Sequence, residues 1–270
     1  VTVSKTLDQK LARLRANPAA ADFILADAKD GDMGLGIGCP GQRAGGEPGF
    51  RSLAQYRDFM REITRQGLVD IMLMSASSSE LLTIKERLFD ESSVTPAVRA
   101  NDTTDIWLGM SGGYAKQPSV AFATTTIDHI QCGHAICRPE ERRLGADLGL
   151  YSVTFNNDTT LDREAAERYG TFRLEAEAKG LRHFLEVFAP NAPVQPIENV
   201  GRFVNDSIAR LMGGITKSSR PIFLKMPYFG PAAMEELFHY DPSLIIGILG
   251  GSAGTTMDAF HLLADARKHG

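Results

Sequence analysis

Short apolar runs alternate along this chain with longer stretches whose apolar positions recur every three or four residues, the two periods that distinguish strands from amphipathic helices. The runs at 23–26, 69–74, 150–155, 184–188, 221–224 and 244–249 predict strands, and weaker ones lie at 96–99 and 120–123. Helical spacing fills the intervals. Leu53, Tyr56, Phe59, Met60 and Ile63 share one face, Ser77 and Glu80 have the spacing of a capping box, and Asp162 precedes Arg163-Glu164-Ala165-Ala166. Gly213-Gly214 predicts a helix end.

Strand-then-helix repetition is the pattern of parallel strands joined by crossover helices. An open doubly wound sheet shares it, but polar or ionisable residues follow many of these runs, and the C-terminal ends of strands are where barrel active sites lie. The expectation is therefore an α/β fold, a (β/α)8 TIM barrel forming a single domain over 1–270. Two segments interrupt the repetition. Residues 31–49 hold eight glycines, too flexible for an element interior, and read as a candidate lid. Residues 101–137, with Gly112-Gly113 and little helical spacing, read as an excursion or hairpin on one rim.

Composition narrows the function classes. A chain of 270 residues that is 43% hydrophobic suits one barrel, which commonly needs about 250 residues. The net charge of -4 is spread along the chain without a basic stripe, so nucleic acid is not an expected partner. Three cysteines, Cys39, Cys132 and Cys137, make no disulfide framework and point to a reducing compartment, the cytoplasm. No apolar run reaches about 18 residues, and the start of the chain reads as an amphipathic helix rather than a signal sequence, so no membrane is expected. A homo-oligomer is expected, as for many barrels.

The candidate chemistry centres on Lys225, which ends an apolar run and precedes Met226-Pro227-Tyr228-Phe229-Gly230-Pro231, a segment that must turn. Desolvation among Phe223, Leu224 and Met226 would favour a free amine, the nucleophile that imine chemistry needs. The alternative is a lysine paired structurally to a carboxylate. Glu186, inside Phe184-Leu185-Glu186-Val187-Phe188, must have a partner because an unpaired buried charge is costly. Asp27 closes the first run, so Asp27 and Glu186 are the candidate proton carriers, and Lys29 is a candidate substrate-binding residue that would supply local positive charge or orient a carboxylate. The stretch 247–256 follows a strand and opens a helix, and the small residues Gly250, Gly251, Ser252 and Ala253 would let backbone N–H groups approach a phosphate.

Weaker signals count for less. Gly34-Leu35-Gly36-Ile37-Gly38-Cys39 lacks the third glycine of a dinucleotide fingerprint. Cys132, His134 and Cys137 could supply three zinc ligands but lack a fourth and a standard spacing, so ordinary rim residues are expected there. No serine lies in a nucleophile elbow, and His129, His183, His239 and His261 are scattered.

Together these residues resemble the class I (Schiff-base) aldolase family of the tagatose-bisphosphate, archaeal fructose-bisphosphate and deoxyribose-phosphate aldolases. The resemblance implies an imine lysine on strand six, matching Lys225, and a phosphate turn after strand seven, matching Gly250-Gly251. It likens Glu186 to a strand-five proton carrier and Asp27 to a first-strand acid-base aspartate. It also implies an eighth strand beyond Gly270, since the runs near Arg99 and Val120 then make one strand plus an excursion. The family's glycine-arginine pair on that last strand is absent from this sequence. Tyr151, Thr154 and Phe155 match neither the tyrosine nor the lysine that the family places on strand four.

The function so implied is Schiff-base-dependent reversible C–C cleavage of a phosphorylated ketose or related sugar, a lyase activity with no cofactor or metal. Lysine-dependent acyl transfer or decarboxylation, and a sugar-phosphate-binding regulator on an aldolase scaffold, are the alternatives.

Overall fold

The structure, a computed structural model, describes residues 3–17, 20–108, 111–250 and 256–269. Its frame is a sheet of seven strands, β1 (Ala26–Lys29), β2 (Ile71–Met74), β3 (Thr95–Arg99), β6 (Leu148–Thr154), β7 (Arg182–Phe188), β8 (Leu224–Met226) and β9 (Ile246–Ile248), in that spatial order and all parallel. The excursion after β3 carries a short antiparallel pair, β4 (Asp102–Thr103) and β5 (Ala121–Phe122). Helices α1 (Thr6–Ala16), α2 (Leu53–Gln66), α3 (Ala76–Ser79), α4 (Ile127–Cys132), α5 (Thr159–Lys179), α6 (Val200–Gly213), α7 (Pro231–Tyr240) and α8 (Thr256–Ala266) complete the chain.

The sheet curls. Arg99 on β3 reaches Glu186 on β7 across the intervening β6, and Asp30 just beyond β1 from the other side, so one guanidinium ties both flanks of the sheet. Seven parallel strands of the expected barrel are present, and the eighth that would close it is not among the described residues. Among the described residues β9 and β1 do not pair, so the result is an open, half-barrel α/β sheet.

Alternation sorts the strands into two faces. Ile71, Leu73, Ala97, Leu148, Leu150 and Phe184 point inward and pack against Leu7 and Leu11 of α1, which covers the N-terminal end of the sheet. Tyr151, Val153, Leu185, Val187, Leu224 and Met226 point outward to Tyr169 of α5 and to Val204 and Ile208 of α6. Met72 and Met74 do the same toward Tyr56 and Met60 of α2.

Local starts and stops differ from the sequence expectation in instructive ways. The first strand begins three residues later than the apolar run, because buried Asp70 takes the N–H of Leu25 at 2.8 Å and the ammonium of Lys10 at 2.7 Å. The cap of α3 is Ser75, which accepts from the Ser78 N–H, not Ser77, and the helix continues as a π-turn over Glu80–Lys85. Asp158, not Asp162, caps α5; Asp162 instead accepts the backbone N–H groups of Asn156 and Asp158. Helix α6 does end at Gly213-Gly214. Cys132 and Cys137, expected as unpaired thiols, are joined by a disulfide. Gly133, at φ 83°, caps α4 and turns the chain so that the two Cα atoms stand 5.9 Å apart. No described helix is long and apolar enough to cross a membrane.

One outward-facing histidine gives a stability prediction. His183 is 4% exposed, its Nε2 lies 2.8 Å from the Tyr169 hydroxyl, and burial, helped by the nearby Arg173 cation, lowers its pKa from 6.5 to about 4. The unfolded chain therefore binds this proton more readily, so the stability is complete above pH 6.5 and is lost as pH falls toward 4. The shift corresponds to about 3 kcal/mol. Denaturant unfolding across that range should show this loss, and His183→Gln should flatten it; equal slopes for both proteins would contradict the assignment.

Candidate active site

The register brings a set of polar side chains to the inner face. Ser152 pairs with Glu186, Glu186 with Lys225 and Lys225 with Gly247, and residues paired in parallel strands project to the same side. Lys225 Nζ stands 2.6 Å from Glu186 Oε1. The other carboxylate oxygen of Glu186 accepts from Ser152 Oγ at 2.7 Å and from Arg99 Nη2 at 3.3 Å. Glu186 is 1% exposed, so its charge is held entirely by this ring of donors.

Arg99 is the hub. Its Nε donates to Asp30 Oδ2 at 2.5 Å and its Nη1 to Ser152 Oγ at 2.9 Å, which ties the end of β1 to β3, β6 and β7. Burial opposes the guanidinium charge, but Asp30 and Glu186 more than offset it and raise its pKa above the ordinary arginine value. Asn101 braces the same place: its side-chain amide donates to the Ser152 carbonyl at 2.8 Å and accepts the Ser152 N–H at 2.7 Å, extending the ladder where β3 has ended. Below this layer the inner face is apolar, and Phe184 stacks on Phe223 at 4.6 Å between ring centroids. The polar layer thus lies toward the C-terminal ends of the strands, where parallel α/β sheets carry their ligands.

No protein-family model matches the chain, and no curated protein does. Solved structures do. Cgl0159 from Corynebacterium glutamicum superimposes with a TM-score of 0.55 at 18% identity, over 98% of this chain and 88% of that one. The chain shares its fold. A fructose-bisphosphate aldolase from Plasmodium falciparum, solved with TRAP and a small-molecule inhibitor, gives a TM-score of 0.41 at 11% identity, over 99% of this chain and 95% of its own, too distant to carry an argument.

The residues singled out in the sequence fall in three places. Lys225 and Glu186 meet directly. Asp27 and Lys29 do not join them: they bond to each other at 2.6 Å, and the register aligns them with Met72 and Met74, whose side chains face α2. The first-strand carboxylate on the inner side is Asp30. Gly250 is exposed beyond β9, and Gly251, Ser252 and Ala253 lie outside the described residues.

Asp30, Arg99, Ser152 and Asn101 were missed. The signal for Arg99 was present, since it ends a short apolar run as Lys225 does, and a cation in that position asks for a buried acid. The glycine-rich segment, read as a lid, adds Asp32. Its Oδ2 accepts from Ser75 Oγ at 2.6 Å while its Oδ1 is buried without a hydrogen-bond partner, and burial raises its pKa above the usual carboxylate range. Cys132 and Cys137, discounted in the sequence as zinc ligands, are bonded to each other. Among the described residues no group of three or more His, Cys, Asp or Glu side chains is arranged to hold a metal ion.

Proposed function

We propose that this chain is a class I aldolase that cleaves a phosphorylated ketose or related sugar through an imine on Lys225. The observation that carries the reading is the 2.6 Å contact between Lys225 Nζ and a carboxylate, Glu186, that is otherwise fully occupied by Ser152 and Arg99. Imine formation requires protons to leave the nitrogen, and Glu186 is within reach to take one.

The steps then balance with these groups. Lys225 adds to the ketone carbon, the carbinolamine hydroxyl leaves as water with a proton returned from Glu186, and an iminium remains. A base takes the proton of the hydroxyl on the far carbon of the bond to be broken, the carbon that becomes the aldehyde. That C–C bond opens, the aldehyde departs, and its electron pair forms an enamine. Protonation at carbon and hydrolysis release the second product and the free amine. Asp30, rather than Asp27, is assigned to the hydroxyl proton because it stands on the inner side of the sheet and is joined to Glu186 through Arg99. A phosphate would be held by the stretch that follows β9, at Gly250 and the Gly251, Ser252 and Ala253 that the sequence suggests for it.

The test is turnover of a panel of phosphorylated ketoses, read as release of the aldehyde product. A cleaved member of the panel, with a rate unchanged by a chelator, supports the reading; cleavage of none overturns it. With that substrate, Asp30→Asn should lower turnover by about a hundredfold or more, the usual contribution of a proton carrier, while Asp27→Asn leaves it within a few-fold. The reverse order would restore Asp27 to the role that the family resemblance implies.

A further inference from the structure

The N-terminal end of the sheet, opposite the polar layer, holds a cavity of about 1010 Å³ at the starts of β7, β8 and β9. Five cations line it, Arg15, Arg173, Arg182, Lys217 and Arg220, against one carboxylate, Glu177. Two of the five are already neutralised, Arg182 by Asp8 and Asp147 and Arg220 by Asp241. Arg15, Arg173 and Lys217 form no ion pair among the described residues.

Arg173 is the most informative of these. Its guanidinium carbon lies 5.3 Å over the Tyr169 ring and its Nη1 donates to Ser219 Oγ at 3.1 Å, while its Nε is buried without an acceptor. Packing, not a carboxylate, holds this cation in place. A fixed guanidinium with spare donors is suited to the planar, two-point recognition of phosphate or carboxylate oxygens. The same cavity has an apolar floor in Ile222, Phe223 and Ile245, each half-buried. Its volume is at the upper end of the roughly 300–1,000 Å³ that small-molecule sites occupy.

An inorganic anion would use the cations and leave the floor wet, and an uncharged apolar ligand would leave the cations unpaired. We propose that this cavity binds a phosphorylated small molecule carrying an apolar or aromatic group, the chemistry of a nucleoside phosphate, at a site separate from Lys225. The proposal does not depend on the aldolase reading.

Calorimetric titration with ATP, pyrophosphate and adenosine tests it. ATP should bind the wild-type protein and Lys225→Ala alike, more tightly than pyrophosphate or adenosine, and about tenfold more weakly to Lys217→Ala and to Arg173→Gln, as expected for loss of one charge-assisted contact. Lys217 is exposed, so its substitution leaves the fold intact and keeps the test decisive if Arg173→Gln does not fold. Absence of ATP binding to the folded wild-type protein, unchanged affinity in Lys217→Ala, or loss of binding in Lys225→Ala would overturn the proposal. Pyrophosphate binding as tightly as ATP would remove the role of the apolar floor and with it the ligand class.

Discussion

Replacing Lys225 by arginine is expected to abolish cleavage, lowering turnover by at least about a thousandfold, while leaving the protein folded and nearly as stable as wild type. The two halves of that expectation separate a nucleophile from an ion-pair partner. Arginine keeps a cation beside Glu186, so the buried carboxylate stays compensated, but a guanidinium does not deprotonate and cannot form the imine. Lys225→Ala should show the same loss of turnover with a larger loss of stability than Lys225→Arg, since Ser152 and Arg99 hold only the other oxygen of Glu186. Activity that survives in either variant, measured by aldehyde release, would reduce the Lys225–Glu186 pair to a structural ion pair.

Arg99→Met is expected to cost about 3–5 kcal/mol of stability, the range for removing one member of a buried ionic cluster. Methionine fills much of the space, but Asp30 loses its 2.5 Å donor and Glu186 one of its three, with side chains only 8% and 1% exposed. Urea unfolding measures the loss. A loss below about 1 kcal/mol, the scale of an exposed pair, would mean that the cluster is solvated and does not hold the sheet in its curl.

These two residues also mark how much was legible in the sequence. Lys225 and Glu186 each stand at or within an apolar run, and their runs lie in neighbouring strands, so the pattern led directly to a contact that the structure contains. Arg99 ends a run too, but the acid it bonds most closely, Asp30, is 69 positions away, a pairing no local spacing reports. Asp27 was misplaced for a related reason. The apolar run at 23–26 suggested a strand that Asp27 would close, whereas Asp70 delays the ladder to Ala26–Lys29. With pairing set by β2, Asp27 turns to the α2 side and Asp30 becomes the inner acid.

Fold class was read from alternation, and the seven parallel strands and the rim hairpin after β3 follow from it. Closure is not a property that periodicity reports, since an open and a closed parallel sheet share the same alternation. The disulfide escaped as well. Counting cysteines spoke of compartment, but a left-handed glycine directly after Cys132 was the local sign that the chain returns on itself.

The central claim is a covalent bond between Lys225 and a carbonyl carbon. Incubation with a cleaved phosphoketose and sodium borohydride, followed by digestion and mass spectrometry, reads that bond directly. A reduced sugar adduct on the peptide bearing Lys225, absent from Lys225→Arg, is the predicted result; substrate turned over with no adduct, or an adduct on another lysine, would contradict it.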